Sequence, residues 1–240
     1  MIAAFPIAGV TLRGLLGRRR SLLMVLLVAL PVLVALLIRL ADGHPGPAQV
    51  LDPLIVRTVL PLVALVFGTA ALGSELEDGT AVFLMVKPVS RWRIVVEKMV
   101  VASGLTVALV MPATVLTGIF ASGLGAGQLG TTFAFALAVA AGGTAYACAF
   151  VALSALTSRA LVLGLGYTLI WEGILAGLLE ATRFLSIRQA TLGLAGGLSG
   201  DTSRAALDIG TSVLILAAVT AGAVVIGSLR LARFEIRGGD

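Results

Sequence analysis

Histidine and cysteine are nearly absent from this 240-residue chain, with one of each, and charge is scarce, with Asp, Glu, Lys and Arg together at 12%. Each shortage removes a class of protein. A single cysteine, Cys148, excludes an intramolecular disulfide framework and a paired-thiol metal site. His44 sits in a Gly- and Pro-rich loop with no second His or Cys at ligand spacing, so it reads as a solvated surface residue and no metal site is expected. There is no Ser-His-Asp set and no G-x-S-x-G elbow, so acid–base catalysis has little to work with and no catalytic residue is assigned. The pattern G-x-x-x-x-G-K-[ST] is missing too, so this chain has no P-loop to hold nucleotide phosphates. A soluble globule carries about 25% charged residues; half that density excludes an ordinary water-facing surface.

What is present is apolar. Hydrophobic residues make up 59% of the chain and the mean hydropathy is +1.10. Apolar surface on this scale needs lipid as its solvent. The apolar residues come in long continuous runs, not in ten-residue alternating segments, which favours helices over a barrel. No polar stretch is long enough to build a soluble core. The expected fold is an all-α integral membrane protein, with residues 1–240 forming one transmembrane domain. The formal charge of +5 implies orientation in a membrane and no nucleic-acid partner.

Six spans are expected. The first covers 21–38, uncharged between Arg20 and Arg39 and about 27 Å long as a helix. Residues 41–53 read as a polar turn. The second span covers 54–72, with Arg57 near its start and able to snorkel outward. Residues 99–158 carry no charge at all. As one helix they would reach about 90 Å, three membrane thicknesses. They must therefore fold back at Ser122–Gly130, giving spans at 99–120 and 131–156. The fifth span covers 161–179 and the sixth 209–229, with a semi-apolar segment at 180–208 between them. Residues 1–17, with Arg13 and the Arg18–Arg20 cluster, form a rough amphipathic segment suited to the membrane surface; a frayed tail is the plainer alternative. The first apolar run follows the arginines and no small-residue cleavage site follows it, so no cleavable leader is expected.

Six spans place both termini on one side. That side holds twelve of the Lys and Arg residues and the other holds five. The positive-inside rule makes the richer side cytoplasmic.

The connection at 73–98 is unlike a plain turn. It carries Glu75, Glu77 and Asp78, then Gly79 and Thr80, then the apolar run Ala81–Val86 before Lys87, then a Pro88-Val89-Ser90 break and the basic start Arg91-Trp92-Arg93. Thr80 can cap a short helix with the acids at its positive end, and Pro88 stops it. That helix shows Val82, Phe83, Met85 and Val86 to the cytosol, and apolar side chains so placed need burial in a partner, in the protein's own body or on lipid.

The pattern E-x-E-D-G-T, a short apolar helix, K-P-V-S-R-W-R, and a span headed by Glu97-Lys98 resembles the first cytoplasmic loop of type-2 ABC transporter permeases. The similarity of layout extends over essentially the whole chain: six spans, a basic elbow-like N-terminal segment, a long segment between spans five and six, and an arginine-rich tail. The resemblance implies a coupling helix that docks into a separate ATP-binding subunit through Glu75, Glu77, Asp78, Gly79, Thr80, Phe83 and Lys87. It implies two ATP-binding subunits carrying ATP and Mg, a second permease copy, identical or not, and no cofactor on this chain. It also implies short re-entrant helices after span five that close the path from outside.

Glu172 is the one acid inside an expected span, beside Trp171 and the small-residue pattern Gly173-x-x-x-Gly177. It lines or gates the outer path, or span five ends early and the carboxylate sits at the interface paired with Arg183 or Arg188. The expected function is the permease of an ATP-driven exporter in a bacterial inner membrane. The near-absence of fixed charge along the path points to a lipid-like or amphipathic substrate. A non-transporting anchor for a cytosolic partner and a membrane-embedded enzyme are the alternatives. The enzyme reading has only Glu172 to offer as a buried polar group.

Overall fold

The computed structural model describes residues 15, 18–77, 91–175, 180–201 and 206–232, and every regular element among them is helical. Helix α1 is Arg18–Leu40. Helix α2 (47–77) runs through Pro47–Leu51, a π-helical stretch Asp52–Val59, and Leu60–Glu77. Helix α3 is Arg91–Ser122 and α4 is Ala126–Leu156. Helix α5 (160–175) begins as Ala160–Gly166 and continues as a π-helix over Tyr167–Leu175. A 3-10 turn, Glu180–Leu185, leads into α6, Ile187–Ser199, and α7 is Ile209–Ala232. Among the described residues, five helices are long and apolar enough to cross a membrane: Leu22–Leu40, Pro47–Leu72, Trp92–Ser122, Ala126–Leu156 and Ile209–Leu231.

Burial sorts these helices by position. Helix α4 packs against α2, α3, α6 and α7, and 67% of its most apolar window is buried, against 22% for α1 and 17% for α7. It is therefore the central post, and the first and last helices are the periphery. Its composition explains this, because Gly142, Gly143 and many alanines let neighbouring backbones approach closely. Most hydroxyls within the helices are satisfied locally: Thr69, Thr106, Thr114, Thr144 and Thr220 each donate to the carbonyl four residues earlier. That is how polar side chains live in lipid without marking a site.

Consecutive antiparallel helices give the bundle two ends. Residues 78–90 connect helices at one, here the loop end, and Gly123–Gly125 lies at the opposite end. Depth can be read from packing. A Cβ at Gly142 would collide with the Thr191 side chain of α6, and one at Gly143 would press on Leu60 and Thr106. Both glycines sit at the middle of α4, so α6 reaches half-way into the bundle. Gly193 and Gly197 of α6 meet Ser212 and Ile209 at the start of α7, so α6 rises antiparallel to α7 toward the opposite end and finishes there on Gly200 at φ 75°.

Several expected boundaries move. The second helix begins at Pro47, not 54, which shortens the polar turn and puts Arg57 well inside the helix. Gly46 in extended conformation and Pro47 at the first helical position start it. The third helix begins at Arg91 and the turn after it is only Gly123–Gly125. The charged connection shrinks from 73–98 to 78–90, because α2 carries on through Glu75 to Glu77. The fifth span, expected over 161–179, is described as α5 over 160–175, and residues 176–179 lie outside the described residues. Gly104 and Gly166 meet nothing within 4 Å and are not packing sites, unlike Gly118, Gly142, Gly143 and Gly164. The amphipathic segment 1–17, Leu15 excepted, lies outside the described residues.

Pro53 and Pro61 bracket the π-stretch of α2. Proline at 61 removes the N–H that would bind the Arg57 carbonyl in α-register and crowds that carbonyl, so the helix opens by one residue. Thr58 follows the wider register and donates to the Pro53 carbonyl at 2.9 Å.

Two measurements check this packing. Gly142→Val drives branched atoms into Thr191 and is expected to destabilise by about 1–3 kcal/mol, whereas Gly166→Ala, in open space, is expected to be neutral or stabilising by under about 1 kcal/mol; thermal unfolding of purified protein in detergent compares them. At α7, Asp208 accepts the Thr211 N–H at 3.0 Å and the Thr211 hydroxyl at 2.6 Å, and these bonds hold its carboxyl below the usual range. Because the folded pKa is the depressed one, the cap's contribution is complete above the unfolded value of about 3.9 and is lost as pH falls below it. Amide protection at Ile209–Ser212 should therefore fall below about pH 4, and Asp208→Asn should flatten that dependence.

Candidate functional site

The first turn of α6 starts inside the bundle and leaves backbone N–H groups that no helix satisfies internally. Glu172 answers this. Its side chain is 2% exposed. One carboxylate oxygen, Oε1, accepts the Tyr167 hydroxyl at 2.9 Å, the Ile187 N–H at 2.9 Å and, at the longer distance of 3.5 Å, the Arg188 N–H. The other, Oε2, accepts the Ser186 hydroxyl at 2.5 Å. Ser186 is also the N-cap of α6 and accepts the Gln189 N–H at 3.0 Å. The negative charge thus sits at the positive end of the α6 dipole. The Tyr146 hydroxyl of α4 is buried close to the same carboxylate without reaching hydrogen-bond geometry.

Two further ties lie beside this clasp. Arg188 does not form an ion pair with Glu172. Its guanidinium pairs with Asp52 of α2 at 3.3 Å, with both side chains mostly buried. Arg183 shows no ion pair with Glu172 among the described residues. Arg57 is exposed, and its guanidinium donates to the Gly173 carbonyl at 3.0 Å. Leu60 packs on Gly143 at the middle of α4, so Arg57, one turn away, is near half-depth as well. Trp171 is half-buried, and its Nε1 has no partner among the described residues. Gly173 is not a packing glycine, since a Cβ there would make only an ordinary contact with the Thr168 carbonyl; Gly177 lies outside the described residues.

A second polar group occupies the loop end. Lys98 is fully buried, and its Nζ donates to the Ala71 carbonyl of α2 at 2.6 Å. Glu97 is 1% exposed and pairs with Arg93 at 3.3 Å, one turn back. The two helices that flank residues 78–90 are therefore bound to each other where they leave the bundle.

Of the sequence-predicted site residues, Glu172 and Trp171 fall in the clasp region. Glu75 and Glu77 lie on the final turns of α2. Asp78, Gly79, Thr80, Phe83 and Lys87 lie outside the described residues. Sequence reasoning missed Ser186, Tyr167, the Asp52–Arg188 pair and the Arg57–Gly173 tie. A Ser followed three residues later by Gln is a visible capping signal, but nothing local says which acid will meet it. Among the described residues no group of three His, Cys, Asp or Glu side chains could hold a metal ion; His44 turns Nδ1 to the Asp42 carbonyl at 2.9 Å on the surface.

Glu172→Ala strands the Ser186 hydroxyl and the Ile187 N–H in a dry site and is expected to destabilise by on the order of 3 kcal/mol. Glu172→Gln keeps the shape and an acceptor and is expected to lose clearly less. Chemical unfolding in detergent, with limited proteolysis between α5 and α6, reads the difference.

Comparison with known proteins supplies the family. The sequence profile described as "ABC-2 family transporter protein" matches residues 12–236. No curated protein matches the chain. The matched region contains every described helix of the bundle and the charged connection at 78–90. The chain belongs to the ABC-2 transporter family and is a multi-pass membrane permease component of an ABC transporter.

Proposed function

We propose that this chain is the path-forming subunit of an exporter energised by separate ATP-binding subunits, with a lipid-like or amphipathic substrate. Two permease copies, identical or paired with a related chain, enclose the path, and two ATP-binding subunits carry ATP and Mg. Residues 78–90 and both termini face the cytosol of a bacterial cell, in keeping with the twelve-to-five distribution of basic residues.

The observation that carries this reading is the anchorage of the charged connection. Helix α2 runs unbroken to Glu77, α3 starts at Arg91, and Lys98 ties the two through the Ala71 carbonyl. A force applied to Glu75, Glu77, Asp78, Gly79, Thr80, Phe83 or Lys87 would pass into two long helices moving as one body. A buried ammonium on a backbone carbonyl resists separation, because parting them costs the charge a hydrogen bond in a dry site. At the other end, Glu172 and Trp171 belong to the outer gate, with Glu172 positioning α6 as its closing element.

Co-purification in nanodiscs with a P-loop ATPase encoded beside this chain tests the coupling. Wild type is expected to hold the ATPase, and the double variant Glu77→Arg/Gly79→Pro is expected to lose it while remaining folded. Equal retention by both would sink the coupling assignment and leave a membrane anchor as the better description.

A further inference from the structure

Arg57 is in an unusual place for an exposed arginine. It lies on the outside of α2, near half-depth, in a groove of about 270 Å³ between the π-stretches of α2 and α5. Hydrocarbon does not accept a guanidinium at that depth, so such side chains face a polar path, a partner or water. One of its N–H groups is taken by the Gly173 carbonyl. Among the described residues no carboxylate answers its charge: Asp52 on the same helix pairs with Arg188, and Glu172, next to Gly173, is turned inward to Ser186 and Ile187. The rest of the groove is apolar or already satisfied. Leu62, Leu169 and Ile174 form its walls, while the Thr58 and Thr168 hydroxyls are spent on the Pro53 and Gly164 carbonyls.

A lone cation at the edge of an apolar trough is complementary to an anionic amphiphile. We propose that this groove binds the phosphate headgroup of an anionic lipid, held by Arg57, with the start of its acyl chains along Leu62, Leu169 and Ile174. The guanidinium fork matches phosphate oxygens in pairs, and that is the strong form of the contact. The volume is below that of most whole-ligand pockets, so the site grips the head and the first part of the tails and leaves the remainder in the bilayer. The proposal deepens, and rests on, the reading of the substrate as lipid-like; it assigns the position that would distinguish anionic from zwitterionic lipid.

The test uses Trp171, two residues from Gly173. In a Trp92→Phe background it is the one tryptophan of the chain. The protein is placed in nanodiscs containing phosphatidylglycerol or phosphatidylcholine with brominated acyl chains, and tryptophan quenching is read. The expected result is about five-fold tighter apparent binding of phosphatidylglycerol, the scale of one charge-assisted contact. Arg57→Gln should abolish the preference, Arg57→Lys should keep part of it, and Leu62→Trp, read by phosphatidylglycerol retention in native mass spectrometry, should lose it by filling the groove. Inorganic phosphate should not compete. Equal quenching by both lipids, a preference that survives Arg57→Gln, or displacement by inorganic phosphate alone would overturn the proposal. So would disulfide cross-linking between copies through Leu169→Cys without lipid quenching, which would give the groove to a second copy of the chain. The readout needs no ATPase. A flat lipid profile with the ATPase complex intact therefore removes the groove assignment alone, and a lost complex with lipid preference intact removes the coupling reading alone.

Discussion

A helix that starts inside a membrane-embedded bundle must have its first N–H groups satisfied from within, because lipid offers them nothing. Here one carboxylate meets that requirement. Glu172 collects the hydroxyls of Tyr167 and Ser186 and the N–H of Ile187. The start of α6 is thereby fixed against the end of α5. The packing of Thr191 on Gly142 and the Asp52–Arg188 pair both depend on α6 starting at that level. The charge is tolerable because the donors are preorganised: three of them belong to a single helix start.

The two ends of the bundle use the same means for different tasks. At the loop end a buried cation, Lys98, holds a carbonyl of the neighbouring helix. At half-depth a buried anion holds N–H and O–H donors. In each, a buried charge is held at least in part by backbone groups of a neighbouring helix. Arg93–Glu97 and Asp52–Arg188 add ordinary ion pairs around these two centres.

Much of this fold was legible in the sequence. Uninterrupted apolar runs located α1 and α7 to within three residues and the far ends of α3 and α4 as closely, while α3 starts eight residues and α4 five residues before the expected positions. The start of α2 was misplaced because Ala48 and Gln49 continue a polar-looking turn; the Gly46-Pro47 start signal was present and outweighed by hydropathy. Glu172 was visible as an anomaly, an acid in an apolar run. Its partners were not, because Ser186 and Ile187 come within reach only after the chain has turned back on itself.

The π-stretches Asp52–Val59 and Tyr167–Leu175 are the two places among the described helices where the backbone departs from α-geometry over more than a turn, apart from the short 3-10 segment. They face each other across the Arg57–Gly173 contact. A π-turn is wider than an α-turn and advances less per residue, so passing residues from one form to the other changes a helix's length without unfolding it. Helices α2 and α5 therefore each hold their wider turns at matching depth, beside a helix α4 that is α-helical throughout Ala126–Leu156.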